Sequence, residues 1–463
     1  MDNSIKYCLS GALSLVGSQG VAIAACGNDT ADRPDDRKNI VLILADDIGY
    51  ECIGAYGSTY STPHLDALAE EGILYSMCFS QPLSTPTRVQ LMTGKYNFRN
   101  YVEFGYMNPD EVTFANLARD AGYSTCMVGK WQLGASAALP GRFGFDEYCL
   151  WQLEQGRKEG AGDRYANAAI ECSRKTYARS LDTYGPDIFC DYAIDFIERS
   201  KDRPFLLYYA DVLVHSPFLP TPDSPRWGDP AGRLKKSDAN FPDMVSYMDK
   251  NVGRLVSYLK QAGLYEDTII LYIGDNGTHR SIETPMRDGS VIKGGKGLMT
   301  DAGTHVPMIV RYPQGLSGVV SDALVDMTDF FPTVADIVGC RIPERMVVDG
   351  HSLLAQFRGD EDAYRRDWVF CHYDPLVNGV PELEKSGRFI RTRGFKLYHD
   401  GRFYDLSRDP GEHNPISEGA GSPDAERARS YLQTELSKFP AWKPGDPGVR
   451  KKGDYKVANG RNK

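Results

Sequence analysis

Residues 40–47 read Ile40-Val41-Leu42-Ile43-Leu44-Ala45-Asp46-Asp47. Six apolar residues in succession, ended by two carboxylates, predict a short strand buried on both faces with acidic groups at its carboxyl end. Runs of the same texture recur at 124–128, 205–210, 268–273 and 307–311. Helical patterns lie between them. Thr62-Pro63 offers a cap and a first-turn proline, and Leu65, Leu68 and Ala69 form one apolar face. A second helix is expected over 113–121, closed by Gly122. A third over 244–261 aligns Met244, Met248, Val252, Leu255 and Leu259 before Gly263. Strands alternating with helices predict an α/β fold with a largely parallel central sheet flanked by helices. After about Pro343 the pattern changes. Short strands at 389–391 and 395–398, Phe403-Tyr404-Asp405-Leu406, the turn Asp409-Pro410-Gly411 and a helix at 425–437 predict a small C-terminal antiparallel subdomain.

In open α/β sheets, ligands bind beyond the carboxyl ends of the strands. Those ends carry chemistry here. Asp46-Asp47 follow the first strand, and Gly274-Asp275-Asn276-Gly277 follows the fourth. Three carboxylates and an amide are hard oxygen ligands, suited to Ca²⁺ and next to Mg²⁺. Zinc would call for His or Cys ligands. No His occupies these positions, and no Cys-x-x-Cys pair occurs anywhere in the chain. The second strand leads into Gly129-Lys130-Trp131-Gln132-Leu133-Gly134, and the third into His215-Ser216-Pro217.

Ser84-Thr85-Pro86-Thr87-Arg88, followed by Leu91-Met92-Thr93-Gly94, ties these ends together. Pro86 suits a first helical turn, and Ser84 would sit at or just before the N-cap, with Arg88 on the same face four residues on. Such a helix end attracts an anion. The stretch resembles the signature of sulfatases, in the alkaline phosphatase-like superfamily. The resemblance spans about 39–313, with an echo in Tyr404-Asp405-Leu406, Asp409-Pro410 and Glu412.

The resemblance implies several roles. Ser84 would be oxidised to formylglycine by a maturation enzyme that accepts serine, and would then also reach the metal held by Asp46, Asp47, Asp275 and Asn276. Arg88 would hold the nucleophile. Lys130 and Lys296 would contact sulfate, the spacing to Asp301 favouring Lys296 over Lys293. His215 would protonate the leaving alcohol. Gln132 stands where the family pattern has His; Gln cannot act as a base, so the step that restores the aldehyde lacks its expected group, for which His279 is a candidate stand-in. Asp301 and His305 read as structural. The substrate is expected to be a sulfated small molecule or glycan, with His372, Arg391 and Arg393 as polar candidates for specificity. A phosphodiesterase or phosphonate hydrolase of the same superfamily, and a non-catalytic glycan-binding lipoprotein, are the alternatives.

The net charge of −9 over 463 residues argues against a nucleic-acid binder. Lys6, an apolar and small-residue run, and Ile23-Ala24-Ala25-Cys26 resemble a bacterial lipoprotein signal. The expected organisation is a signal peptide at 1–25, lipidation at Cys26, a polar tether to 37, a catalytic domain over 38–345, the C-terminal subdomain over 346–442 and a basic tail over 443–463. That implies export to the periplasm or outer membrane, with membrane contact through the lipid alone. Cys149, Cys172 and Cys190 are close enough in sequence to include a disulfide.

Overall fold

The strand at Asn39–Ala45 is buried at every position. Ile40, Leu42 and Leu44 enter one apolar layer, and Val41, Ile43 and Ala45 enter another. This is the alternation that a pleated strand imposes when both faces of its sheet are covered. The computed structural model describes residues 37–154, 164–360 and 362–446, together with the backbone of Ala25–Cys26. The expected signal segment to residue 24, the Cys26 side chain, the tether over 27–36 and the tail beyond 446 lie outside the described residues.

Among the described residues the main sheet has nine strands: β1 (Asn39–Ala45), β2 (Ile73–Phe79), β3 (Ser124–Lys130), β4 (Glu147–Trp151), β5 (Ile170–Cys172), β6 (Phe205–Ala210), β7 (Thr268–Gly274), β8 (His305–Arg311) and β9 (Val319–Asp326). Their order is β9-β2-β8-β7-β1-β6-β3-β4-β5. Strands β7, β1, β6, β3 and β4 form a continuous parallel core. β8 runs antiparallel between β7 and β2, β9 pairs parallel with β2, and β5 closes the far edge antiparallel to β4. A disulfide joins Cys149 to Cys172 across that last pair, while Cys190 is a free, buried thiol. The five strands expected from apolar runs all occur. β2, β4, β5 and β9 were not expected, because their sequences mix polar and aromatic residues and owe their conformation to pairing.

The covering helices are α1 (Pro63–Glu70), α2 (Ser84–Thr93), α3 (Phe114–Asp120), α4 (Gly185–Ser200), α5 (Phe241–Gln261) and α6 (Phe330–Ile337). α1, α4 and α5 pack on one face through Leu65, Phe189, Phe196 and the Met244–Leu259 stripe. α2, α3 and α6 cover the other through Val89, Phe114, Leu117 and Phe331. α3 starts at a capping box in which Thr113 and Asn116 bond reciprocally.

The second sheet is antiparallel, with β10 (Val369–Tyr373), β11 (Gly387–Arg391), β12 (Phe395–Tyr398) and β13 (Phe403–Asp405). One face is covered by α7 (Pro423–Ser437) through Ala425 and Leu432. The other carries Cys371, Tyr373 and Phe389 against Leu83 and Met299, so this sheet abuts the start of α2. Arg391, expected as a specificity candidate, is instead 1% exposed and forms a two-pronged pair with Asp301 at 2.7 and 2.6 Å. It fastens the second sheet to the first. Among the described residues no helix is long and apolar enough to cross a membrane.

Candidate active site

Strand register assembles the site. β1 and β7 are parallel neighbours with Ala45 opposite Gly274, so Asp46-Asp47 and Asp275-Asn276 emerge side by side. All four are fully buried. The Asp47 N–H donates to Asp275 Oδ1 at 3.0 Å, and Asn276 Nδ2 donates to Asp47 Oδ1 at 2.9 Å. β6 lies next to β1 and β3 next to β6. Lys130, at the end of β3, reaches back to Asp46 Oδ1 at 2.6 Å. The preceding Gly129, at φ 94°, lies so close to β6 that a Cβ there would fall 1.9 Å from the Ala210 carbonyl oxygen. Only glycine fits.

α2 begins at Ser84 itself, with Leu83 as the N-cap. This corrects the expectation that Ser84 lies at or before the cap. Thr87 supplies the local bonds instead, accepting from the Gln81 N–H at 3.1 Å and donating to the Leu83 carbonyl at 2.9 Å. The Ser84 hydroxyl is thereby left for Lys130, whose Nζ donates to it at 3.1 Å. At the other end, Gly94 at φ 67° takes the left-handed turn that stops the helix. Arg88 Nη2 donates to Asp275 Oδ2 at 2.9 Å. Its Nε and Nη1 are buried without an acceptor, with the Tyr208 hydroxyl beside them.

His215, just beyond β6, and Lys296 complete the cluster. Lys296 Nζ lies 2.5 Å from Asp47 Oδ2 and 2.9 Å from His215 Nε2. His215 Nδ1 bonds the Ser216 carbonyl, so Nδ1 carries the proton and Nε2 accepts from the ammonium. Lys293 lies on an exposed hairpin opposite Glu283, away from these groups.

The remaining candidates fall elsewhere. Gln132, at φ 51°, turns toward the neighbouring strand end and donates to Gln152 Oε1 at 2.8 Å, leaving its own Oε1 buried and unpartnered. His279 bonds Ser281 and packs edge-on against Phe218. His305 bonds the Ser76 carbonyl between the rings of Tyr50 and Phe79. His372 accepts from Arg388 Nε at 2.7 Å in the C-terminal core, and Arg393 pairs with Asp322 at the surface.

Two buried ionisable side chains were not anticipated. Arg164 donates to Asp46 Oδ2 at 3.0 Å and stacks 4.1 Å above the Trp151 ring. Nothing in its sequence surroundings marks it; register brings Trp151 opposite Lys130 and the arginine with it. Asp211 follows β6 directly, with Oδ2 buried and unpartnered. The signal that singles out Asp46 and Asp275, an acid immediately after an apolar strand, applies to it equally.

The electrostatics are those of a crowded cage. Burial pushes Asp46 upward, but Lys130, His215, Arg164 and Arg88 together hold it well below the usual carboxylate range. Asp47 is likewise lowered, burial being outweighed by His215 and Lys296. Asp275 is pushed up to about 6 by burial and by Asp46. Burial takes Lys130 down to about 8, against the pull of Asp46. His215 is brought down to about 3 by burial and by Arg164.

Donor atoms of Asp46, Asp47 and His215 lie within 4.8 Å of one another. Asn276 Oδ1 is a buried acceptor with no donor. A set of carboxylate and amide oxygens, one of them unsatisfied and one carboxylate raised by its neighbours, fits a hard divalent cation.

The family profile described as Sulfatase matches residues 38–340. The chain belongs to the sulfatase family. A second profile, described as N-sulphoglucosamine sulphohydrolase, C-terminal, matches residues 295–440 of this sulfatase. Steryl-sulfatase of Mus musculus is 28% identical, covering 85% of the chain and 80% of that protein. N-acetylglucosamine-6-O-sulfatase of Bacteroides thetaiotaomicron is 26% identical over 95% of the chain and 94% of that protein. The crystal structure of Ps i-CgsB in complex with a neocarrahexaose superposes with a TM-score of 0.70 at 24% identity, covering 88% of this chain and 95% of that one. At that identity the likeness speaks to the fold. As a member of this family the protein is a sulfuric ester hydrolase.

Proposed function

We propose that this sulfatase hydrolyses sulfate esters of carbohydrates with a nucleophile derived from Ser84 beside a Ca²⁺ ion. The observation that carries the reading is the Ser84 hydroxyl in the first turn of α2, bonded by a buried lysine that also grips Asp46. Oxidation of Ser84 to formylglycine, by a maturation enzyme that accepts serine, would supply an aldehyde whose hydrate attacks sulfur. Asp46, Asp47, Asp275 and Asn276, with the side chain at 84, would hold the cation, which would neutralise charge on the sulfate oxygens.

The chain's own groups do the rest. Lys130 and Lys296 pair with sulfate oxygens, part of an electrostatic clamp in a dry site. The unsatisfied Nε and Nη1 of Arg88, on the same face of α2 as Ser84, would be free to donate to the modified side chain at position 84. His215, held by Lys296 at Nε2 over 2.9 Å, is the group placed to protonate the departing alcohol. Gln132 takes no proton. The carbohydrate substrate is supported by the similar N-acetylglucosamine-6-O-sulfatase and by the neocarrahexaose in the similar structure. Export as a lipoprotein through Cys26 fits such a substrate, and labelled palmitate should enter wild type and not Cys26→Ala.

The test is mass spectrometry of the Ser84 peptide, with aryl sulfate and aryl phosphate turnover measured in parallel. We expect a loss of two hydrogens at Ser84, preference for the sulfate ester, and loss of turnover on chelation and in Ser84→Ala. A fully active preparation with unmodified Ser84 refutes the mechanism.

A further inference from the structure

Arg280 lies four residues beyond Asn276, on the loop that leads to Lys296. Its Nε donates to the Lys296 carbonyl at 2.7 Å. The guanidinium is therefore tied to the backbone of a residue whose ammonium reaches Asp47. The next residue, Gly297, has its N–H on the Pro82 carbonyl at 2.8 Å. A Cβ placed on Gly297 would lie 3.1 Å from Arg280 Nη2 and 3.9 Å from a Leu83 methyl. The guanidinium and Leu83, the residue before Ser84, thus flank one spot at the mouth of the site. The Arg280 head is exposed, and among the described residues it meets no carboxylate. Arg393 differs, since Asp322 already neutralises it.

Tyr373 of β10 lies behind Leu83. It packs with Leu83 on the inner face of the second sheet and is 1% exposed. Its hydroxyl is buried without a hydrogen-bond partner and lies within the field of Tyr101 and Glu382 and, less strongly, of the Arg280 charge. A buried phenol with an unmet bond is costly unless something supplies the partner.

We propose that Arg280 and Tyr373 form a subsite for a second anionic substituent on the sugar, a sulfate or a carboxylate, beside the ester that is hydrolysed. The Nη groups of Arg280 offer a fork matched to such oxyanions, and the Tyr373 hydroxyl adds one donor. The proposal rests on the sulfatase reading of Ser84 for its orientation toward substrate. It assigns Arg280 to substrate selection rather than to the chemical step.

The test compares glucosamine 6-sulfate, glucosamine N,6-disulfate and a 6-sulfated glucosamine disaccharide bearing a uronate. Each is measured as a competitor of aryl sulfate turnover and by direct titration into Ser84→Ala protein. Wild type should bind one of the doubly anionic sugars about 10- to 100-fold more tightly than the monosulfated one. The N-sulfate and uronate arms show which anion it prefers. Arg280→Gln should erase that ratio, Arg280→Lys should keep part of it, and Tyr373→Phe should reduce it severalfold. Equal binding of all three by wild type, binding of none, or an equal loss on all three in Arg280→Gln overturns the subsite. Absence of aryl sulfate turnover counts against the Ser84 mechanism and leaves the titration to decide on Arg280.

Discussion

Asp211 follows β6 into the interior, within the field of Asp46 and Arg88. Its Oδ1 accepts the Leu213 N–H at 3.1 Å, and its Oδ2 has no partner. Burial, with the charge of Asp46, pushes its carboxyl up from 3.8 to about 7, against Arg88 and two backbone N–H groups. Between those values the unfolded carboxyl is ionised while the native one keeps its proton. The native state binds the extra proton, so stability is fully present below pH 3.8 and is lost as pH rises through about 7. The slope is about 1.4 kcal/mol per pH unit, and over roughly 3 units the total is about 4 kcal/mol. Asp211→Asn retains an acceptor for Leu213 N–H and cannot ionise. Its new amide donor carries a cost that does not vary with pH, so the slope is the diagnostic quantity. Urea unfolding in chelator at constant ionic strength, from pH 4 to 8, should show the variant gaining on wild type by about 4 kcal/mol across the window. Parallel pH profiles for the two proteins would refute a protonated Asp211.

Three further outcomes are expected. Arg391→Ala strands Asp301, whose carboxyl, raised by burial, is brought down to about 2 by Arg391 and Lys396. It should cost about 3 kcal/mol in a denaturant titration, and a change under ~0.5 kcal/mol would mean that the pair does not fasten the two sheets. Asn276→Ala removes the unsatisfied oxygen of the cage and should weaken Ca²⁺ at least ~10-fold. The stabilisation of wild type at 100 times its Kd, about 2.7 kcal/mol, should then fall to about 1.4; an unchanged calcium-induced rise in Tm removes Asn276 from the ligand set. Gln132→His restores a base where the family pattern has one. Steady-state turnover should rise with little change in the first-turnover burst, and a fall in both would show that the Gln132–Gln152 pair is itself required.

Much of the site was legible because strand ends are legible. Asp46, Asp47, Lys130, His215, Asp275 and Asn276 each follow an apolar run, and a parallel sheet delivers all its carboxyl ends to one side. Ser84 and Arg88 were legible through helix spacing. Arg391 was misjudged because a lone arginine in a predicted strand looks alike whether it faces solvent or, as here, a half-buried Asp301 just ahead of β8 in the main sheet. β2, β5 and β9 were missed because pairing with β8, β4 and β2 itself overrides weak local patterns.

The sequence by itself determined the α/β alternation, the gathering of carboxylate and amide oxygens at the strand ends and the serine near the head of α2, since each depends on residues adjacent along the chain. Only the tertiary structure decided the rest: Arg164 on Asp46, the turn of Gln132 toward Gln152, and the pairing of Arg391 with Asp301. Those contacts join segments from about 20 to more than 100 residues apart. Their geometry is set by sheet register and by the packing of two sheets, quantities that no local pattern encodes.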